Sequence, residues 1–379
     1  MLTHTKINAV FARGGTSKGL IFHHRDLPAS QVKWADIFRH VMGSPDANGR
    51  QLDGMGGGIS SLSKVVVLAP SARPDADIDY TFVQIGVRDG VVDYGMTCGN
   101  MASAVGPFAI DEGLVSVADG PATIRIYNTN TDKIYHAHFA VEDGCAVEEG
   151  DVAIPGVSGR ASPVILEFLN PAGARTSGLL PTGAPIDRLD VPGLGGVNVS
   201  LVDSTNPVVF LRATDVGLDP LAAPARLDED ARLAAQLELV RRHAAVAMGM
   251  ASSPEEALQS NPKIGLVAPP EDFPCLDGSI AAQDEMDVIV RMVSMGNFHR
   301  AIPLSSALCA ASAAAISGTV IHEISANHNA LRIGTASGVI TASAQTETTD
   351  AGTRILSVST IRTQRRLFEG QFRVPLSLL

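Results

Sequence analysis

The stretch Cys98-Gly99-Asn100-Met101-Ala102-Ser103-Ala104-Val105-Gly106 carries the clearest indication of the fold. It follows an alternating polar and apolar run at residues 91–96, which predicts a strand. The small residues after Cys98 predict a helix over residues 100–112 that ends at Gly113. Cys98 therefore stands where a helix begins, beside backbone N–H groups that have no partner within the helix and can bind a carboxylate or enolate oxygen.

The rest of the chain predicts a sheet-rich α+β fold in two similar halves. A Gly- and Pro-rich segment at residues 176–192 separates them, and each half combines paired strands, a peripheral helix and a small-residue helix. Few helices stand between consecutive strands, which disfavours a doubly wound parallel sheet. Strands are predicted at residues 6–12, 20–22, 65–68, 79–86, 91–96, 123–127, 134–141, 164–168, 197–202, 208–211, 263–267, 286–292, 319–323, 338–344 and 354–359, and further helices at 31–42, 229–248 and 307–316.

Composition excludes several classes of function. The chain has 379 residues, 45% of them hydrophobic, which makes two domains with sizeable cores the expectation. Its net charge of −11 disfavours a nucleic-acid partner. The apolar run at 307–316 is too short to span a membrane. Four widely spaced cysteines, with no C-x-x-C pair and no signal peptide, predict no disulfide framework or structural zinc and a cytoplasmic location.

Lys64 and Cys98 are the candidate catalytic residues. Lys64 directly precedes the apolar run at 65–68, so its amine is expected to enter a pocket or solvent. A lysine and a thiol facing one anion site suggest proton transfer at carbon without a cofactor. The structural alternatives are a surface lysine at a strand end and a buried thiol that only packs. His23 and His24 lack metal-ligand spacing with any cysteine, and no metal site is predicted.

A further set of polar residues is expected to bind a polyanionic small molecule. They lie in glycine-rich loops, in the polar loop at residues 203–207, at predicted helix starts, or in a His-Arg pair that could bind carboxylate. Each also has a structural alternative as a turn, a cap or a solvated side chain. The predicted substrate-binding residues are Thr16, Ser17, Lys18, Gly57, Gly99, Asn100, Met101, Ser204, Thr205, Asn206, His299, Arg300, Ser305 and Ser306.

Several of these stretches together resemble the PrpF family over nearly the whole chain. The resemblance rests on Arg13-Gly14-Gly15-Thr16-Ser17-Lys18-Gly19, Met42-Gly43-Ser44-Pro45-Asp46, Gln51-Leu52-Asp53-Gly54-Met55-Gly56-Gly57-Gly58 with Ser63-Lys64, Cys98-Gly99-Asn100 and Asp203-Ser204-Thr205-Asn206-Pro207. It implies isomerases of unsaturated tricarboxylates, related in fold to diaminopimelate epimerase. It also implies two pseudo-symmetric domains, each a mostly antiparallel sheet wrapped around a central helix, with the site in the cleft between them. We expect domains at residues 1–185 and 186–379, with the last strand able to return to the first.

The resemblance implies that Lys64 and Cys98 act as acid and base without metal or organic cofactor. The predicted function is a 1,3-proton shift in a tricarboxylate such as 2-methylaconitate or aconitate. Oxalomesaconate tautomerisation and a non-catalytic carboxylate-binding role are the alternatives, and a homodimer is left open. Leu304-Ser305-Ser306 stands where diaminopimelate epimerases carry a second catalytic cysteine, which weighs against a two-thiol mechanism; Cys309 lies further along and is expected to pack.

Overall fold

Contacts within the computed structural model, which describes residues 3–95, 97–294, 296–349 and 352–379, divide the chain into two compact units. The first unit comprises Met1–Glu167 and Ile361–Leu379, and the second comprises Phe168–Thr360. The domain limits expected from the sequence stay a prediction. Within the described ranges, no helix has the length and apolar character needed to cross a membrane.

The first unit is built mainly from strands. Its helices are α1 (Trp34–Met42), α2 (Gly99–Ala102) and α3 (Val105–Asp111). Its strands are β1 (His4–Gly14), β2 (Ser17–His23), β3 (Lys64–Pro70), β4 (Ile78–Ile85), β5 (Val92–Asp93), β6 (Gly120–Asn128), β7 (Lys133–Glu142), β8 (Cys145–Ala146), β9 (Val152–Ala153), β10 (Arg160–Ala161) and most of β11 (Pro163–Leu169).

The paired strands of the first unit, here called the first sheet, alternate in direction along the sheet. The β1–β2 pair is antiparallel, β2–β3 parallel, β3–β4 antiparallel, β4–β6 parallel and β6–β7 antiparallel. Side chains alternate between the two faces of a strand. Leu20, Val65 and Val83 pack in one core with α1. On the other face, Tyr80 and Tyr135 hydrogen-bond backbone carbonyls of the segment that contains α2.

The second unit contains the longest helix and the most buried one. Its helices are α4 (Pro224–Asp228), α5 (Ala231–Ala247), α6 (Leu304–Ala314) and α7 (Val320–Ile324). Its strands are β12 (Asp187–Val191), β13 (Gly195–Ser204), β14 (Asn206–Arg212), β15 (Lys263–Ala268), β16 (Phe273–Pro274), β17 (Ile280–Ala281), β18 (Val288–Ser294), β19 (Asn297–Phe298), β20 (Ala330–Thr335), β21 (Gly338–Thr349) and β22 (Gly352–Pro375), whose last residues belong to the first unit.

The paired strands of the second unit, here called the second sheet, are also covered by helices on both faces. Its pairs run antiparallel for β13–β14, parallel for β14–β15, antiparallel for β15–β18, parallel for β18–β20 and antiparallel for β20–β21. Leu237 and Val240 of α5 share a core with Leu201, Leu211 and Leu266. Helix α6 is buried almost throughout, and its alanines let β13, β14, β20 and β21 approach it closely.

The predicted helix at residues 100–112 is interrupted, and the cause is Pro107. The structure has α2 and α3 instead, joined through tight turns in which the Ser103 N–H bonds Asn100 O and the Ala104 N–H bonds Met101 O. Pro107 has no N–H to give to the Ser103 carbonyl four residues earlier, and its ring would meet that carbonyl. An uninterrupted helix is therefore disfavoured at Ser103.

Two strand predictions also change, and β20 is an example of a strand that was not predicted. The strand predicted at 319–323 is wrong, because Thr319 caps helix α7 by accepting a hydrogen bond from the His322 N–H at 3.2 Å. In the run predicted at 91–96, only Val92–Asp93 is a strand, and Met96 lies outside the described residues. Strand β20 was missed, since only Leu331 and Ile333 alternate clearly there.

The cap of α7 gives a stability prediction. The Thr319 hydroxyl also donates to Ala313 O at 2.6 Å, so it joins α7 to the end of α6. We expect Thr319→Val to lower the free energy of unfolding by about 1–2 kcal/mol, measured by urea denaturation, because it removes both hydrogen bonds. Thr319→Ser keeps the hydroxyl, so its free energy of unfolding should fall by less. Equal decreases in the two variants would contradict the role of this hydroxyl as the cap of α7.

Candidate active site

Lys64 is buried at the start of β3, with 8% of its surface exposed. Its Nζ donates to Gln84 Oε1 at 2.7 Å and lies 5.0 Å from the centre of the Phe82 ring. Gln84 is directly opposite in the antiparallel register, and its Nε2 donates to Ser63 O at 2.8 Å, which turns Oε1 towards Lys64. Among the described residues, no carboxylate forms an ion pair with Lys64. A neutral acceptor therefore holds this amine.

A glycine-rich loop sets where β3 begins. Gln51 organises this loop, since its Nε2 donates to Ser63 Oγ at 2.7 Å and its Oε1 accepts from the Gly58 N–H at 3.0 Å. Gly57 is exposed in the loop and its N–H bonds Leu62 O at 3.2 Å. In this structure Gly57 thus shapes the turn that leads into Lys64.

Cys98 is the N-cap residue of α2 and is half-buried. Its carbonyl accepts from the Tyr80 hydroxyl at 3.1 Å, and its Sγ lies 3.9 Å from Ser17 Oγ. The N–H groups of Gly99, Asn100 and Met101 are the first of the helix and have no acceptor within it. The Met101 side chain is fully buried, so any contact of this residue with a substrate would come from its backbone.

Strand alternation brings Lys64 and Cys98 to one face of the first sheet. Gln84 is directly opposite Lys64, so the two side chains lie on the same face. Tyr80 precedes Gln84 by four residues on β4 and therefore also lies on that face. The Tyr80 hydroxyl donates to the carbonyl of Cys98. The neighbouring strand agrees, because Ser17 contacts Cys98 and Gly19, two residues on, pairs with Lys64.

Lys18 lies between these two residues and so faces the other way. Its Nζ lies 5.4 Å from the centre of the Phe11 ring, and Phe11 belongs to the core that packs with α1. The structure therefore does not bring Lys18 together with Lys64 and Cys98.

Gly14 and Gly15, which precede Thr16, leave space for α2. The sequence had suggested that these glycines let a ligand approach closely. A Cβ on Gly14 would lie 2.6 Å from the backbone oxygen of Asn100, and a Cβ on Gly15 would lie 2.4 Å from its side-chain oxygen. Asn100 Nδ2 then donates to Thr16 Oγ1 at 3.1 Å. The hairpin of β1 and β2 is thereby fitted to the start of α2, and it holds Thr16 and Asn100 together.

Arg362 is a cation at this site that the sequence analysis missed. It is buried on β22, and its Nε donates to Asn100 Oδ1 at 3.3 Å. Burial lowers the pKa of the Arg362 guanidinium to about 10. Arg13 is nearby in the register, because Gly14 pairs with Gln364 and the Arg13 guanidinium donates to Thr363 O at 3.0 Å. Only the pairing of β1 with β22 reveals these neighbours, since they are far apart in sequence.

In the second unit, Thr205 and the first residues of α6 come together. Thr205 has a positive φ of 60°, and its hydroxyl donates to Ser305 O at 2.9 Å. Ser306 is fully buried, and its Oγ has no hydrogen-bond partner in the described part of the chain. Ser204 instead turns into the interior, where its Oγ lies 2.6 Å from that of Ser312. Ser204 thus makes a buried hydrogen bond to Ser312, where a substrate contact was predicted.

His299 is half-buried, whereas Arg300 is exposed. The pKa of His299 is lowered, mainly by burial and to a smaller extent by the positive charge of Lys263. The negative charge of Asp228 acts to raise this pKa. Asn206 Nδ2 donates to Pro207 O at 3.1 Å and so closes its own turn.

Lys263 is a second residue that the sequence analysis missed. It begins β15 just as Lys64 begins β3, each on a strand that runs parallel to its neighbour. Burial lowers the pKa of Lys263. The signal was present, because Pro262-Lys263 precedes an apolar run as Ser63-Lys64 does.

The chain is similar over nearly its whole length to known isomerases. The chain is 37% identical to a 2-methyl-aconitate isomerase from Shewanella oneidensis, over 98% of this chain and 97% of that protein. The crystal structure of a methylitaconate-delta-isomerase superposes with a TM-score of 0.90 at 36% identity, covering 100% of this chain and 97% of that one. A hydroxyproline epimerase from Agrobacterium vitis superposes with a TM-score of 0.52 at 10% identity, over 98% and 93%, which shows a shared fold.

The fold and these similarities define an isomerase with a sheet-dominated α+β architecture. The chain belongs to the PrpF family, whose model, described as "PrpF protein", matches residues 4–375.

The contact between Gly14 and Asn100 gives a second prediction. We expect Gly14→Ala to lower the free energy of unfolding by about 1–3 kcal/mol, because the new methyl group would meet backbone atoms that cannot easily move. Gly159→Ala is the matched control, since a Cβ there meets nothing within 4 Å. Chemical denaturation of both variants measures the effect, and equal stabilities would contradict the close-packed start of α2.

Proposed function

We propose that this isomerase catalyses a cofactor-independent 1,3-proton shift in an unsaturated tricarboxylate such as 2-methylaconitate or aconitate. The observation that carries the proposal is the buried amine of Lys64, bonded to a neutral amide on the sheet face that also carries Cys98. Such an amine can take a proton from a carbon next to a conjugated C=C and return it at the far end of the allyl system.

Charge would develop on substrate oxygen during that transfer. Removal of the proton gives a dienolate, whose negative charge spreads onto a carboxylate. The backbone N–H groups of Gly99 and Asn100 are suited to stabilise it, because donors fixed in advance act most strongly in a site from which water is excluded. Arg362, beside Asn100, adds positive charge for a substrate that carries three carboxylates.

The role that we propose for Cys98 is secondary to that of Lys64. Its Sγ makes only a weak contact with Ser17 Oγ at 3.9 Å, and the residue is half-buried. We assign it to reprotonation or to shaping the anion site, with Lys64 as the essential base. Thr16, Thr205, Ser305 and Ser306 are proposed to contact substrate carboxylates, the last because its buried hydroxyl has no partner among the described residues.

The architecture supports pseudo-symmetry between the two units, which we propose as part of the same assignment. Both sheets follow the order antiparallel, parallel, antiparallel, parallel, antiparallel. Lys64 and Lys263 occupy matching positions in that order, and each unit has a helix against the face that carries its lysine. We keep the domains at residues 1–185 and 186–379 as part of this proposal. A reducing, cytoplasmic location is supported by four free cysteines.

Proton NMR in D₂O tests the reaction directly. Purified protein is incubated separately with isomers of aconitate, 2-methylaconitate, methylitaconate and oxalomesaconate. We expect isomerisation of at least one tricarboxylate, with deuterium entering only at the two carbons of the allyl system. Binding without exchange would favour a non-catalytic carboxylate-binding protein, and turnover restricted to oxalomesaconate would favour a tautomerase.

Variants of Lys64 and Cys98 test the assignment of roles on the substrate found in this way. We expect Lys64→Ala to lower kcat by about 10²–10⁴-fold, because it removes the proposed base. Cys98→Ser should be milder, since it keeps a small hydroxyl at the start of α2. Lys18→Ala is the matched lysine control and should keep near-normal kcat, because Lys18 faces away. Reversed severities of the first two variants, with folds checked by circular dichroism, would contradict a lysine-centred mechanism.

A further inference from the structure

Three metal-ligating side chains meet in the first unit, away from Lys64 and Cys98. His136 and His138 alternate along β7 and so share one face, and Glu167 reaches them from β11, which pairs with β7. One ligand atom from each residue lies within 4.8 Å of the others. This cluster was not predicted from the sequence, because several short strands separate Glu167 from His138, although the pattern His136-Ala137-His138 is plain.

The distances within the cluster suit a small divalent cation. The Glu167 Oε2 atom lies 3.1 Å from His138 Nε2 and 3.7 Å from His136 Nδ1. Ligand bonds of about 2.0–2.2 Å in a tetrahedral site place donor atoms about 3.4 Å apart. The two observed distances bracket that value, so a cation could enter with small side-chain movements.

Neighbouring side chains provide the outer hydrogen bonds and the charge balance that metal sites commonly have. Thr123 is directly opposite His138, and its Oγ1 lies 2.9 Å from His138 Nδ1. With Nε2 bound to a metal, Nδ1 would carry the proton and donate it to Thr123, which fixes the ring. Arg125, opposite His136, is bonded to Asp77 at 2.8 Å, so its positive charge is balanced by that carboxylate.

We propose that His136, His138 and Glu167 form a binding site for a borderline divalent cation of the Zn²⁺ and Co²⁺ type. Two imidazole nitrogens and one carboxylate oxygen are the ligands such ions prefer, and a water molecule would fill the fourth position. The metal would tie β7 to β11 within the first unit. The side chains are 18–33% exposed, so an ion can enter from solvent.

The other close histidine pair provides a control. The rings of His322 and His328 stack with centroids 3.8 Å apart. However, His322 Nδ1 lies 2.8 Å from Ala314 O and His328 Nε2 lies 3.0 Å from Ser325 O. Those nitrogens must carry protons to bond carbonyl oxygens, so they are not available as metal ligands.

Metal titration of the full chain, purified without an affinity tag and stripped of metal, tests the proposal. Zn²⁺ is added in a calorimeter, and Co²⁺ is followed by its visible absorption. We expect one equivalent to bind, and the Co²⁺ spectrum to lack a thiolate charge-transfer band. His138→Gln and Glu167→Gln should each weaken binding by on the order of tenfold or more, while His328→Gln should leave it unchanged.

Three outcomes would overturn the site. These are no stoichiometric binding by the unaltered chain, undiminished binding by both ligand variants, or an equal loss in His328→Gln. Circular dichroism confirms that each variant is folded, and His136→Gln replaces any variant that is not. The readouts do not depend on turnover, so this test is separate from that of the isomerase mechanism.

Discussion

The backbone of Asn100 lies against Gly14 at a distance that leaves no space for a side chain, and most of the site in the first unit depends on this contact. It fixes the start of α2 over the hairpin of β1 and β2, and so sets the direction of the first N–H groups of the helix. It also brings Asn100 within hydrogen-bond distance of Thr16 and Arg362. A larger residue at position 14 would displace all of these groups together.

Lys64 is positioned in a different way, by neighbouring strands. Its pairing with Gln84 on one side and Gly19 on the other leaves its side chain on the α2 face. The amide of Gln84 is itself fixed by Ser63, so the acceptor offered to the amine is rigid. No described carboxylate pairs with Lys64, which suits the role proposed for it as a base that exchanges a proton with a carbon acid.

Local sequence patterns predicted the parts of the fold in which alternation or helical spacing is strong. Strands near β1, β3, β6 and β7 and helix α5 were expected close to where they lie. The errors arose where one residue overrides the pattern, as Pro107 does in the break after α2 and Thr319 does as the cap of α7. Lys64 and Cys98 could be proposed as site residues from sequence, but Arg362 could not, because only the pairing of β22 with β1 brings it near Asn100. Lys18 was predicted to bind substrate because it was assigned to a loop, whereas in the structure it lies on β2 and faces away from Lys64.

The return of the last strand has a consequence for biosynthesis. Residues 364–375 pair with β1 along its whole length, from Gly14 with Gln364 to His4 with Pro375. Synthesis proceeds from the N-terminus, so β1 emerges from the ribosome long before its partner exists. For most of translation one edge of that strand has unpaired backbone groups, which is the kind of edge that associates with other chains. The nascent enzyme should therefore depend on chaperones, and on the time between the emergence of its first and last strands, more than a protein whose strands pair in order of synthesis.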